Sequence, residues 1–133
     1  MIPQKRNIYR VLLVLYLIAV CYLCFGNFSS IPKVSPSFLG IPTDKIVHFL
    51  MFLPFPLLVF QSFSRDGWSR RRSLFATGFT FLGGLALAGA TEIGQSFTRH
   101  RSSDPLDFLA DSTAIAVCSL IVLLIVLRNK NLK

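Results

Sequence analysis

The sequence predicts an all-α membrane bundle of four transmembrane helices with both termini on the cytoplasmic side. Three observations carry this reading. Hydrophobic residues make up 53% of the 133-residue chain, with a mean hydropathy of +0.59. Only 15% of residues are charged, against about a quarter in an average soluble chain. Four long uncharged runs are separated by short basic clusters. A helix needs about 20 apolar residues to cross a bilayer core, and in lipid the backbone must satisfy its own polar groups, which makes each run helical. One domain spanning residues 1–133 is the natural division.

The first span covers about residues 11–26. Lys5, Arg6 and Arg10 before it resemble the basic start of a signal peptide. No small-x-small cleavage site follows and three further spans do, so it reads as a retained helix. The loop after it carries Phe28, Ile31, Val34, Phe38, Leu39 and Ile41 up to Pro42, and such a segment is expected to lie in the membrane interface. The second span, about 44–64, contains Pro54 and Pro56. Each removes a donor and frees a carbonyl, so a kink is expected there. The third, about 73–96, is rich in small residues at four-residue spacing: Gly84 and Ala88, Ala86 and Ala90, Ala90 and Gly94. That spacing lets helix backbones approach closely in lipid, which suits a central helix or an oligomer contact. The fourth covers about 105–127.

Lys5, Arg6, Arg10, Arg65, Arg70, Arg71, Arg72, Arg128, Lys130 and Lys133 fall on one side of these spans. Lys33, Lys45, Arg99 and Arg101 fall on the other. The positive-inside rule makes the first side cytoplasmic. The net charge of +8 is therefore a topology signal, and no nucleic-acid-binding motif is present. The carboxylates are skewed outward: Asp44, Glu92, Asp104, Asp107 and Asp111, with only Asp66 inside. Cys21, Cys24 and Cys118 lie in apolar runs and read as packing residues, the Cys21–Cys24 C-x-x-C included.

Three polar clusters sit at the outer ends of the spans. Thr43 is placed to cap the second span, where Asp44 favours the positive end of the helix and shares a face with His48. Glu92 and Gln95 share a face near the end of the third. Asp104 is placed to cap the fourth, with Pro105 at its first position and Asp107 near a capping-box arrangement, one turn before Asp111. At ~1.5 Å per residue, His48 lies about 7 Å, Asp111 roughly 9 Å and Glu92 roughly 6 to 9 Å below the outer end of its span. An ionised group facing lipid costs on the order of 3 kcal/mol, so these residues are expected to converge. A carboxylate near a helix C-terminus opposes the dipole, and Glu92 therefore needs a partner such as Arg101, His48 or a cation.

At these residues the chain resembles the VanZ-like family of small bacterial integral membrane proteins. The matching residues are Asp44, Lys45 and His48, then Glu92 and Gln95, then Arg101, Asp104, Asp107 and Ala110. The resemblance covers Asp44 to Leu127. Two positions depart from the pattern: Asp111 stands where Asn is usual and Ala114 where Gly is common. The resemblance implies a multi-pass protein of the bacterial cytoplasmic (inner) membrane, and its founding member links the family to glycopeptide (teicoplanin) resistance.

The polar-site set is thus Asp44, Lys45, His48, Glu92, Gln95, Arg101, Asp104, Asp107 and Asp111. One reading is an outward-facing site for an anionic envelope lipid or lipid-linked cell-envelope intermediate, with Arg101 and Lys45 on its phosphate. A second is a metal-assisted or acid–base hydrolase or transferase acting on a lipid, with His48, Glu92, Asp107 and Asp111 as candidate ligands of a divalent cation. A third is a structural or partner-binding subunit in which these residues only lock helices together.

Overall fold

The computed structural model describes residues 3–27, 37–98 and 103–128. Helix α1 is Pro3–Phe25, α2 Thr43–Phe52, α3 Phe55–Phe63, α4 Arg70–Ser96 and α5 Pro105–Arg128. Together they supply four helices long and apolar enough to cross a membrane: Lys5–Phe25, Thr43–Phe63, Arg70–Ser96 and Pro105–Arg128. The expected spans hold to within a few residues, except that the first begins six residues earlier.

The second span is interrupted at the expected place. Leu53 and Pro54 form a turn between α2 and α3. Both keep right-handed helical angles, so the chain continues in nearly the same direction. Proline takes a donor out of the helical ladder. At this break the Met51 carbonyl accepts a 2.7 Å hydrogen bond from the Tyr16 hydroxyl of α1. A side chain from a neighbouring span thus satisfies a carbonyl beside the interruption, as lipid cannot.

The helices alternate in direction. At one end, Cys24 and Phe25 of α1 meet Gly94 and Gln95 of α4, and Lys45 and His48 of α2 meet Asp107 and Asp111 of α5. At the other, the Arg10 Nε donates to the Ser62 carbonyl and Arg70 donates to the Leu127 carbonyl near the end of α5. The core runs between them as Val20, Cys24, Phe52, Ala88, Ala114 and Ile115. Outward-facing Leu, Ile, Val and Phe side chains cover the rest, as a lipid-exposed exterior requires.

The small residues of α4 divide by face. Gly84 and Ala88 point inward, and a Cβ on Gly84 would stand 2.9 Å from Ile115 Cγ2 and 3.1 Å from the Phe55 ring. Gly94 is as tightly placed, with the Phe25 ring 2.8 Å from its would-be Cβ. Ala86 and Ala90 face outward. Ala114 is fully buried, so this chain packs an alanine at a close crossing. Cys24 and Cys118 are buried and Cys21 is exposed, all three as free thiols.

Before α2, Ser37–Phe38 pairs antiparallel with Ile41–Pro42. Leu39 and Gly40 join them with φ of 52° and 80°, the pair of positive values that a type I′ hairpin turn requires. Phe38, Leu39 and Ile41 are all exposed on this hairpin. Phe28, Ile31 and Val34 of the same loop lie outside the described residues.

Candidate functional site

The outer polar cluster starts from the way α5 begins. Asp104 Oδ1 accepts from the Leu106 backbone N–H at 2.9 Å, Pro105 fills the first helical position, and Asp107 N–H returns to the Asp104 carbonyl at 2.8 Å. Asp104 is therefore the expected cap. The capping box closes differently, however. The Asp104 backbone N–H donates a short hydrogen bond to Glu92 Oε1 from α4. Glu92 does the work the third residue of a capping box normally does, and this leaves the Asp107 carboxylate free to face α2. It also gives Glu92 a partner other than Arg101, His48 or a cation.

Thr43 is a correction. It is the first helical residue of α2, and Pro42 stands at the cap position with no side-chain cap. Asp44 and Lys45 follow in the first turn. The Lys45 Nζ lies 3.0 Å from Asp44, 2.5 Å from Asp104 and 2.5 Å from Asp107. An ammonium has three N–H donors, and here three carboxylates take them. None is left for a phosphate, so the expectation that Lys45 contacts one does not fit its surroundings. Asp104 lies just outside the membrane-spanning part of α5. Hydrogen bonding from Lys45, helped by the Leu106 N–H, holds its carboxyl below the ordinary value.

One turn deeper, His48 is held between two carboxylates of α5. Its Nδ1 is 3.1 Å from Asp111 Oδ1 and its Nε2 is 3.6 Å from Asp107 Oδ2. Asp111 is completely buried, His48 is 5% exposed and Asp107 7%. A carboxylate beside Nδ1 favours the proton on that nitrogen, which turns Nε2 into an acceptor in the neutral ring or a second donor in the imidazolium.

Gln95 goes elsewhere. It is buried, but its Nε2 donates 3.2 Å to the Cys24 carbonyl of α1. It ties the ends of α1 and α4 together and is not joined to the carboxylates. Arg101 lies outside the described residues. Asp44, Lys45, His48, Asp104, Asp107 and Asp111 thus form one continuous network, with Glu92 attached through the Asp104 backbone.

The candidate cation ligands are also rearranged. His48, Asp107 and Asp111 come together, but among the described residues the carboxylates grouped tightly enough to share an ion are Asp44, Asp104 and Asp107, with one oxygen of each within 4.8 Å of the others. The Lys45 ammonium bonds all three and supplies the positive charge that a metal ion would bring there. Charge in this cluster is concealed mainly by mutual pairing; among the described residues the buried Glu92 Oε2 has no hydrogen-bond partner.

Beside the network, an apolar cleft of about 530 Å³ runs between α2 and α5. Ile46, Phe49, Leu109, Ala110 and Thr113 line it, and Lys45 stands at its outer end. Tyr16, which closes the break in span two, and the cleft itself were not visible as periodic or motif signals in the sequence.

No protein-family model matches the chain, and no curated protein or solved structure is similar to it. Fold and site define a class: a small multi-pass membrane protein with a buried histidine–carboxylate–lysine network at one end of the bundle.

Proposed function

We propose that this protein binds a lipid or lipid-linked group of the bacterial cell envelope, with hydrocarbon in the α2–α5 cleft and its polar end at the network around Lys45 and His48. The observation that carries the reading is the cleft itself, which is open along the bundle and ends at Lys45. Sites of this kind pair an apolar groove with a few convergent polar groups. The basic clusters on the opposite side support an outward-facing site in the cytoplasmic membrane. Because Lys45 already bonds three carboxylates, the contact with an anionic headgroup is assigned to Arg101, while the aspartates orient hydroxyl or amine donors. The VanZ-like resemblance fits this reading and extends it to a role in glycopeptide resistance.

The test is lipid analysis of the full chain purified in mild detergent. Ala110→Phe fills the cleft, and Arg101→Ala removes the expected anion contact. Both variants should lose a co-purifying lipid that the parent retains. If Ala110→Phe keeps the parent's lipid complement at full occupancy, the cleft is not the binding site.

A second reading is favoured by one geometry, His48 between Asp107 and Asp111. In it the histidine moves a proton to or from the bound lipid in a hydrolytic or transfer step. His48→Gln should then retain the lipid and lose its conversion in membranes. A parent protein that binds lipid and leaves it chemically unchanged would exclude this reading.

A further inference from the structure

We infer that the opposite, basic end of the bundle carries a second site, for one anionic diacyl phospholipid seated astride Phe79 with its phosphate held by Arg71 and Arg72. This inference does not rest on the outer site.

The local fold presents the two arginines. The Trp68 N–H closes a turn onto the Arg65 carbonyl at 3.2 Å, with Gly67 at φ 84° in the third position, where a type II turn needs a positive value. Ser69 then caps α4 by accepting from the Arg72 N–H at 3.3 Å. With the first turn fixed, Arg72 stacks over the Trp68 ring at 5.0 Å and Arg71 over the Phe75 ring at 5.6 Å.

Neighbouring arginines are occupied. Arg10 donates to the Ser62 carbonyl and Arg70 to the Leu127 carbonyl. Among the described residues, neither the Arg71 nor the Arg72 guanidinium has a carbonyl or carboxylate partner. Each lies over a ring with its N–H donors unused, and a guanidinium edge binds phosphate in two-pronged fashion.

Apolar surface continues from Arg71 and from Trp68, the ring under Arg72. A groove of about 250 Å³ between α3 and α4 runs from Trp68 past Phe63 and Phe79 to Gly83. A second, of about 530 Å³, runs along α4 from Arg71 past Phe79 to Leu82. Phe79, 74% exposed, separates them. From Arg72 to Gly83 is about 16 Å of helix, the depth of one leaflet of a ~30 Å hydrocarbon core. Two grooves of leaflet depth on either side of Phe79, one starting at Arg71 and the other at the Trp68 ring under Arg72, match the two acyl chains of one lipid. Charge selects the headgroup: Arg65, Arg70, Arg71 and Arg72 crowd this stretch of the chain, with Asp66 as the single acid among residues 65–72.

Trp68 is the chain's only tryptophan, so the full-length protein reports on this site unaided. It would be reconstituted into phosphatidylcholine vesicles containing a minor fraction of brominated phosphatidylglycerol or, in parallel, brominated phosphatidylcholine. The ratio of quenching by the two lipids is the readout, which cancels any change in intrinsic emission. The brominated anionic lipid should quench preferentially. Each of Arg71→Ala and Arg72→Ala should lower that preference roughly fivefold, Arg72→Lys should keep most of it, and Arg128→Ala at the same membrane surface should leave it unchanged. Equal quenching by both lipids in the parent overturns the inference. So does a preference that survives the Arg71→Ala/Arg72→Ala double variant, or one that falls as much with Arg128→Ala.

Discussion

His48 and Asp111 lie 3.1 Å apart, Nδ1 to Oδ1, and join the second turns of two different spans where neither residue could face lipid alone. Removing either partner has unequal consequences. His48→Ala strands a completely buried carboxylate beside Asp107, and a loss of about 3–5 kcal/mol is expected. Asp111→Ala leaves a neutral ring short of one hydrogen bond and should cost about 1–3 kcal/mol. Asp111→Asn keeps an acceptor and should be milder still. Unfolding in mixed micelles gives the order, and an Asp111→Ala protein less stable than His48→Ala would contradict it.

Lys45 holds three carboxylates in place, so Lys45→Met should destabilise the bundle by about 2–3 kcal/mol. That is below the full cost for a buried pair, because Asp44 and Asp104 keep side-chain exposures of 54% and 39%. Adding Asp107→Asn to Lys45→Met should recover part of the loss, since neighbouring charges do not act additively. Strictly additive effects would show that Lys45 and Asp107 do not couple.

The pair Gly83 and Gly84 provides a packing test. A methyl group at Gly84 meets Ile115 and Phe55, whereas one at Gly83 meets nothing within 4 Å. Gly84→Ala should lose about 1–3 kcal/mol through overpacking. Gly83→Ala should be neutral or gain up to about 1 kcal/mol from helix propensity. Thermal unfolding of the two variants side by side would refute this crossing geometry if both behaved alike.

Acid should loosen the start of α5. The Asp104 carboxyl is held below its ordinary value by Lys45. A carboxyl depressed in the folded state contributes fully above its unfolded pKa, about 3.9, and the contribution disappears as pH falls through the lower folded value. Stability should therefore be flat on the neutral side of about pH 4 with respect to this group, then decline. Asp104→Asn should flatten the acid limb, and an unchanged limb would mean that Asp104 carries no linkage.

The sequence made the spans legible because lipid imposes one rule on the residues inside each of the four spans: apolar unless paired. The same rule made Asp44, Lys45, His48, Asp107 and Asp111 legible as a group, since their depths agree and solitary charges there are costly. What was not legible depended on rotation about the helix axis. Gln95 shares a face with Glu92 by spacing, yet a small rotation directs it to the Cys24 carbonyl of α1. Glu92 took a backbone donor that any residue at position 104 except proline would offer, so no pairing of side chains predicted it. Thr43 carried a capping side chain, but the helix begins one residue before such a cap would act.

The interruption at Leu53 and Pro54 divides one membrane crossing into two short rods with separate neighbours. The outer rod, α2, packs on α5, whereas the inner rod, α3, packs on α1, α4 and α5. The Tyr16 hydroxyl pins the joint from the side. A disturbance that spreads α2 from α5 can thus be absorbed within half a bilayer, leaving the arginine-rich end with its own separate contacts.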